Sequence, residues 1–318
     1  MLRVFPRADG AVEAEPTDTT RWIDLVAPSP EESALVHERY GIVVPTEAAL
    51  QEIEATSRLR ADGDTLYMSA PFIEGVTTDR WQVAPTGFIL TPDICITIRF
   101  VALPAFDQVA DELAAKSDLV SAEVLVRLLE EVVDRAADHL ERAAEAVSDA
   151  SHAIFVDPPK RRSLSRNTAL LRDTMRSIGR ASDRASRVRY MFLNIGRMAS
   201  FVIDRCDPKL DEPIRARLEA VRHDIASLDE FEASLSGRIQ LLQDSAAGFI
   251  SIEQNEVVKV LTVVSVVGVP PVLVVGIYGM NFRFMPELQW HYGYPLALVL
   301  CVLSAVVPLL WFRWRDWI

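Results

Sequence analysis

Three polar side chains, Thr262, Ser265 and Asn281, punctuate a largely apolar stretch near the C-terminus, and Asn255 stands just ahead of it. From residue 260 to residue 282 the sequence runs for 23 residues without a charge. Neutral amides and hydroxyls hydrogen-bond water and solvated ions without holding them as a carboxylate does. A membrane anchor needs none of these groups, whereas a conduit does. Other chemistry is missing. No nucleophile–base constellation is visible, and neither GxxxxGKS nor GxxxxGKT occurs, so neither an enzyme nor an ATP-driven pump is expected. Cys95, Cys206 and Cys301 are scattered without a CxxC pair, as fits reduced thiols and no zinc cluster. His291 has no second ligand at useful spacing and reads as an interfacial residue. Taken alone, Asn281 is as readily a helix C-cap as a site for ions.

The elements that must position these groups follow from length and charge. A bilayer core of about 30 Å takes roughly 20 helical residues. Residues 260–282 and 288–312, the latter apolar mainly from Tyr294 onward, are both long enough. Trp290, Tyr292, Tyr294, Trp311, Trp314 and Trp317 cluster near their ends, as in an interfacial aromatic belt. Lys259 precedes the first stretch and Arg313 and Arg315 follow the second, while the loop between holds only Arg283 and Glu287. The positive-inside tendency places both flanks in the cytoplasm and the loop outside. No signal-peptide core is present at the N-terminus. The expectation is a two-span protein of the cell (inner) membrane with both termini cytoplasmic.

The formal net charge of −12 divides unevenly. Residues 1–255 hold 42 acidic and 29 basic side chains, a net −13, and residues 256–318 hold three and four, a net +1. An acidic body is a poor partner for a phosphate backbone, so nucleic acid is not expected. Half the residues are hydrophobic, which excludes a disordered chain and a small disulfide-stapled domain.

Residues 1–105 mix short β-branched runs (65–68, 87–90, 94–100) with helical segments after Pro28 and Pro45, an α/β domain. Residues 106–212 read as antiparallel helices, acidic then basic, separated by the Asp157-Pro158-Pro159 break. Asp134, Asp138, Glu141 and Glu145 line one face of the first, and Arg172, Arg176, Arg180 and Arg184 step by four along the second, from about Ser163 to Asp204. Charge pairing between these two stripes is expected. A third helix begins after Pro213. Its apolar positions Ile214, Leu218, Val221, Ile225, Leu228, Leu235, Ile239, Leu242, Ala246 and Phe249 form a near-heptad seam, interrupted where Glu232 takes a slot beside Phe231. No breaker separates this stalk (213–256) from the first span (257–281). The external loop is 282–293, the second span 294–313 and the tail 314–318. The fold class is an α+β membrane protein whose long stalk helix continues into the first of two C-terminal transmembrane helices.

The first span ends in Tyr278-Gly279-Met280-Asn281, followed by Phe282, Met285-Pro286-Glu287-Leu288, Trp290 and Gly293-Tyr294-Pro295. This joint pattern resembles the CorA family of magnesium/cobalt transport channels. The likeness extends through Asn255-Glu256-Val257-Val258-Lys259-Val260-Leu261-Thr262. It continues more loosely in Trp22-Ile23-Asp24-Leu25, in the segment from Val44-Pro45-Thr46 to Ile53-Glu54 and in Gly87-Phe88-Ile89-Leu90. It implies a homopentameric funnel in the bilayer, with first spans lining the pore and second spans outside. It further implies influx of Mg²⁺, and of Co²⁺ or Ni²⁺, down the electrochemical gradient, with feedback gating by cytoplasmic Mg²⁺ and no organic cofactor.

In that frame Gly279, Met280 and Asn281 are the selectivity filter, and Glu287 supplies external negative charge unless it is an ordinary solvated loop acid. Asn255, Val258, Leu261, Thr262 and Val269 are the lining, where bulky apolar rings would gate by dewetting. Gly276 and Gly279 would allow close helix approach. Mg²⁺ gives up its waters reluctantly, so a ring of Asn281 amides would accept hydrogen bonds from those waters instead of stripping them. Three departures stand out: Val258 and Val269 where relatives often carry Met, Val272 where they carry Thr, and a run of Gly268, Pro270 and Pro271 in place of one proline. An ungapped register from Asn255 puts Ala220 where some relatives have a regulatory acid, which leaves Glu219 and Asp224 as nearby substitutes. The alternatives are a ZntB-like zinc transporter and a non-conducting two-span sensor or scaffold.

Overall fold

The computed structural model describes residues 1–6, 15–52, 58–74, 82–114, 116, 118–155, 164–206, 210–281, 283, 285–315 and 317. Ile53-Glu54, Asp157-Pro158-Pro159, the helix start at Ser163 and Phe282 lie outside the described residues. Residues 1–158 and 173–242 form one compact unit, and residues 159–172 and 243–318 a second.

The first unit is built on a six-stranded sheet in the order β1-β2-β6-β5-β4-β3. The strands are β1 (Leu2–Phe5), β2 (Trp22–Val26), β3 (Leu59–Asp62), β4 (Thr65–Glu74), β5 (Gln82–Leu90) and β6 (Cys95–Arg99). Only β2 and β6 run parallel, with Asp24 opposite Thr97; every other pairing is antiparallel. Both central strands are covered on two faces, which is why all five residues of β6 are buried. One face packs Ile23, Leu25, Ile96 and Ile98 against Val36 of α1 (Pro30–Tyr40) and Leu50 of α2 (Glu47–Leu50). Helix α1 begins at a capping box in which Ser29 and Glu32 satisfy each other's backbone donors. Gly87 permits the close seat of α2, because a Cβ there would stand 3.0 Å from a Leu50 methyl.

The other face carries an aromatic cluster of Phe72, Phe88 and Phe106, the last from α3 (Pro104–Leu113). Beside it lies a buried ionic network. Asp24 accepts hydrogen bonds from Thr97 Oγ1 at 2.8 Å and Arg99 Nη2 at 3.1 Å, and Arg3 pairs with the same carboxylate. Trp22 Nε1 donates to Thr97 at 3.0 Å, and Asp107 neutralises the outer side of both arginines at 2.9 Å. A buried ion network is costly to open, since deleting one member leaves the others charged and dry. Asp24→Ala is therefore expected to destabilise the unit by about 3–5 kcal/mol, read as a fall in the urea midpoint of the detergent-purified chain.

Three long helices follow among the described residues: α4 (Ser121–Phe155), α5 (Leu164–Cys206) and α6 (Glu212–Tyr278). The seam of α6 is clear in its burial. Ile214, Leu218, Val221, Ile225, Leu235, Ile239, Leu242 and Ala246 are all buried, Leu228 is half-buried, and Phe249 is exposed. Glu232, in the interrupted slot, is 2% exposed and held by Arg189 at 3.3 Å and Ser236 Oγ at 2.8 Å, while Phe231 points to the outside.

Charges of the two stripes are paired in part within their own helices. Among the described residues Arg176 pairs with Asp173 of its own helix at 3.4 Å, and Arg142 with Asp138 of its own at 3.9 Å. Pairs between helices include Arg189 with Asp229 and Glu232, and Arg217 with Glu123 and Glu130. Residues spaced by four advance about 40° per step past a full turn, so the run from Arg172 to Arg184 spreads over about 120° of the helix. Helix α5 buries Ile178, Ala181, Ala185 and Val188, leaving Arg172, Arg176 and Arg180 exposed.

In the second unit, α7 (Gly293–Trp314) follows a 3₁₀ turn (Pro286–Gln289). Among the described residues two helices, α6 and α7, are long and apolar enough to cross a membrane. Near the end of α7, Phe312 is buried, stacked on Trp317 at 5.4 Å.

Candidate ion pathway

The residues expected to line a pore, Asn255, Val258, Leu261, Thr262 and Val269, sit on α6, which stays helical from Asn255 through Tyr278. At about 100° per residue, Asn255, Val258, Thr262, Ser265 and Val269 follow a 3-4-3-4 spacing and share one face. Val266, Leu273 and Gly276 fall on the same face, although sequence reasoning had used Gly276 only for close approach and passed over the other two. Their signal was present in that spacing. Leu261 lies about 100° from its neighbour Thr262, at the edge of the stripe.

Pro271 stands nine residues from Thr262, about 180° around the helix. There the Cys301 thiol of α7 donates to the Pro271 carbonyl at 3.9 Å. This contact lies on the side of α6 turned away from the polar stripe. No residue in the most apolar window of α6 is buried. Val258, Leu261 and Val269 are each 60% exposed or more, so this face is unpartnered within the chain.

The hydroxyls on the stripe have their protons committed. Thr262 Oγ1 donates to the Val258 carbonyl and Ser265 Oγ to the Leu261 carbonyl, both at 2.8 Å. What they turn outward is lone pairs, which suit the protons of water around a cation. Higher up, Pro270 and Pro271 lie inside the helix without breaking it.

The helix ends at Tyr278, and Asn281 lies beyond it with Gly279 in the closing turn. The Gly279 N–H bonds the Val275 carbonyl at 2.9 Å and the Met280 N–H bonds that of Ile277 at 3.2 Å. A Cβ on Gly279 would stand 3.1 Å from the Val275 oxygen, so glycine lets the chain turn this tightly. Met280 and Asn281 are exposed. Asn281 is three residues past the last helical residue, too far along to be the cap. Glu287 belongs to the 3₁₀ turn. His291 packs edge-on against Tyr292 at 5.2 Å.

Glu219 and Asp224 are both exposed on α6, about 140° apart. Asp224 is near Asp134 of α4, whose carboxyl is held above its ordinary range by partial desolvation, then by the charges of Glu130 and Asp224. Among the described residues no group of three or more acidic, histidine or cysteine side chains is arranged to hold a metal. The two substitutes are thus not brought together.

The family model described as "CorA-like Mg2+ transporter protein" matches residues 17–314. The chain is 32% identical over 300 residues to the magnesium transport protein CorA of Haemophilus ducreyi, spanning 93% of this chain and 92% of the relative. It is 30% identical over 308 residues to that of Escherichia coli K12, spanning 96% and 94%. Its fold is similar to the complete structure of the CorA magnesium transporter from Methanocaldococcus jannaschii, with a TM-score of 0.73 over 93% of this chain and 91% of that one, at 19% identity.

Proposed function

The chain belongs to the CorA family, and from that membership we propose that it carries Mg²⁺ across the bilayer through a pore ringed by copies of α6. The observation that carries the proposal is the placement of the acceptor-lined stripe opposite the side on which Cys301 of α7 meets Pro271. An unpartnered stripe in a bilayer needs either lipid or other copies of itself. Thr262, Ser265 and Asn255 would be misplaced against lipid but suit a wet lumen.

The working unit is a homopentamer in the inner membrane with both termini cytoplasmic. A divalent ion moving inward gains about 4–5 kcal/mol per 100 mV, so no other energy source is required. Asn281 is the filter at the outer mouth, accepting hydrogen bonds from first-shell waters, with Gly279 and Met280 setting the turn that presents it. Glu287 draws cations to that mouth by charge. Val258 and Val269, with Leu261 at the edge, close the lumen by dewetting when the rings contract. Co²⁺ and Ni²⁺, whose hydrates resemble that of Mg²⁺ in charge, share the route.

Regulation follows from charge. Five bodies of −13 each total about −65 formal charges. Cytoplasmic Mg²⁺ bridging acids of neighbouring subunits, with Glu219 and Asp224 as candidates, holds the ring closed, and its loss lets the subunits part. Proteoliposomes loaded with different internal Mg²⁺ test both readings. Uptake should fall several-fold as internal Mg²⁺ rises through the millimolar range. A rate indifferent to internal Mg²⁺ would remove the regulatory proposal, and a clear preference for Zn²⁺ would move the chain's cargo to zinc.

A further inference from the structure

We infer that Pro270 turns the backbone of the pore helix into a second station for the hydrated ion, built from the Val266 carbonyl together with the oxygens of Thr262 and Ser265. The inference rests on the proposed pore. Proline has no N–H, so Pro270 and Pro271 leave the carbonyls of Val266 and Val267 without their helical donors. In hydrocarbon such a carbonyl must find another partner.

The two carbonyls face different surroundings. Val266 is four residues after Thr262 and eleven after Asn255, hence on the stripe. Val267, one residue on, is turned by about 100° toward the side of Pro271, where Cys301 of α7 makes its contact. The Val266 oxygen therefore borders the lumen, and the Val267 oxygen borders the second span.

The side chains below complete the set. The inward-turned protons of Thr262 and Ser265 leave acceptor-only oxygens within about one turn of the Val266 carbonyl. Neutral acceptors suit an ion that keeps its water shell, because they bind the shell's protons and release them readily. Asn281 lies 15 residues further on, roughly 20 Å along the chain, with Val269 and Leu273 between. The ion would then step from a station at the outer mouth to one in mid-membrane across an apolar ring. Pro270 acts here as a positioning residue for the Val266 oxygen.

The test measures Mg²⁺ uptake by the full chain in proteoliposomes across external concentrations. Pro270→Ala restores the N–H and caps the Val266 carbonyl. Its maximal uptake should fall about tenfold, the effect of one hydrogen bond on a barrier, while the half-saturating concentration, set at the mouth, stays unchanged. Pro271→Ala should stay within about twofold of wild type. Ser265→Ala should lose maximal uptake as Pro270→Ala does. Val269→Thr in the Pro270→Ala chain, which returns an oxygen to that level of the stripe, should recover most of the loss. Equal losses from the two prolines without rescue would assign them to a kink and overturn the inference, as would full uptake by Pro270→Ala. Those results leave wild-type uptake intact, whereas no uptake by the wild type would overturn the pore along with it.

Discussion

Asn281→Ala is expected to lower Mg²⁺ uptake into proteoliposomes by about 30- to 160-fold, with assembly unchanged on size-exclusion chromatography. The magnitude follows from the loss of two to three amide–water hydrogen bonds around the ion at about 1 kcal/mol each. Asn281 lies outside the helix and is exposed, so its removal leaves neither a cavity nor an unsatisfied buried group. Asn281→Asp separates the filter from a simple wall. A ring of carboxylates should lower the half-saturating Mg²⁺ concentration and also lower the maximal rate, because the ion is held too firmly to leave. Uptake by Asn281→Ala equal to wild type would show that the selective step lies elsewhere.

The second large effect concerns which face of α6 is wet. In a chain with Cys95, Cys206 and Cys301 replaced by alanine, Thr262→Cys should react with a trimethylammonium methanethiosulfonate, and Val264→Cys should not. Val264 is nine residues from Asn255, about 180° around the helix, on the side where α7 touches Pro271. A fixed positive charge about 5 Å from a divalent ion costs roughly 6 kcal/mol at an effective dielectric near 20. Modified Thr262→Cys should therefore lose uptake by at least about 100-fold, and treated Val264→Cys should lose none. The reverse pattern would place the lumen on the other face.

Much of this architecture was legible in residue order, because local periodicity encodes which side of a helix is dry. The α6 seam shows it: the positions from Ile214 to Leu242 are buried or half-buried, and the interruption at Glu232 is a buried acid with its own arginine. The stripe from Asn255 to Val269 was legible for the same reason. Pairings between distant segments were not. Asp24 sits in an ordinary-looking Trp22-Ile23-Asp24-Leu25 strand, yet Arg3 and Arg99, which neutralise it, lie 21 and 75 residues away. Nor does the four-residue step of the α5 arginines announce that Arg176 pairs with Asp173 of its own helix. The side of α6 that the second span covers depends on one contact, Cys301 with Pro271, which no local pattern announces. The Gly279-Met280-Asn281 motif was legible, while the tight turn at Gly279 that carries Asn281 past the helix end was not.

The central claim is that the acceptor-lined face of α6 is a passive route for Mg²⁺. The direct measurement is initial Mg²⁺ uptake by proteoliposomes of the wild-type chain, with an imposed potassium diffusion potential and no nucleotide. Uptake should occur without ATP, rise as the interior is made negative and reverse direction with the driving force. Uptake no faster than in protein-free liposomes at every potential would contradict it.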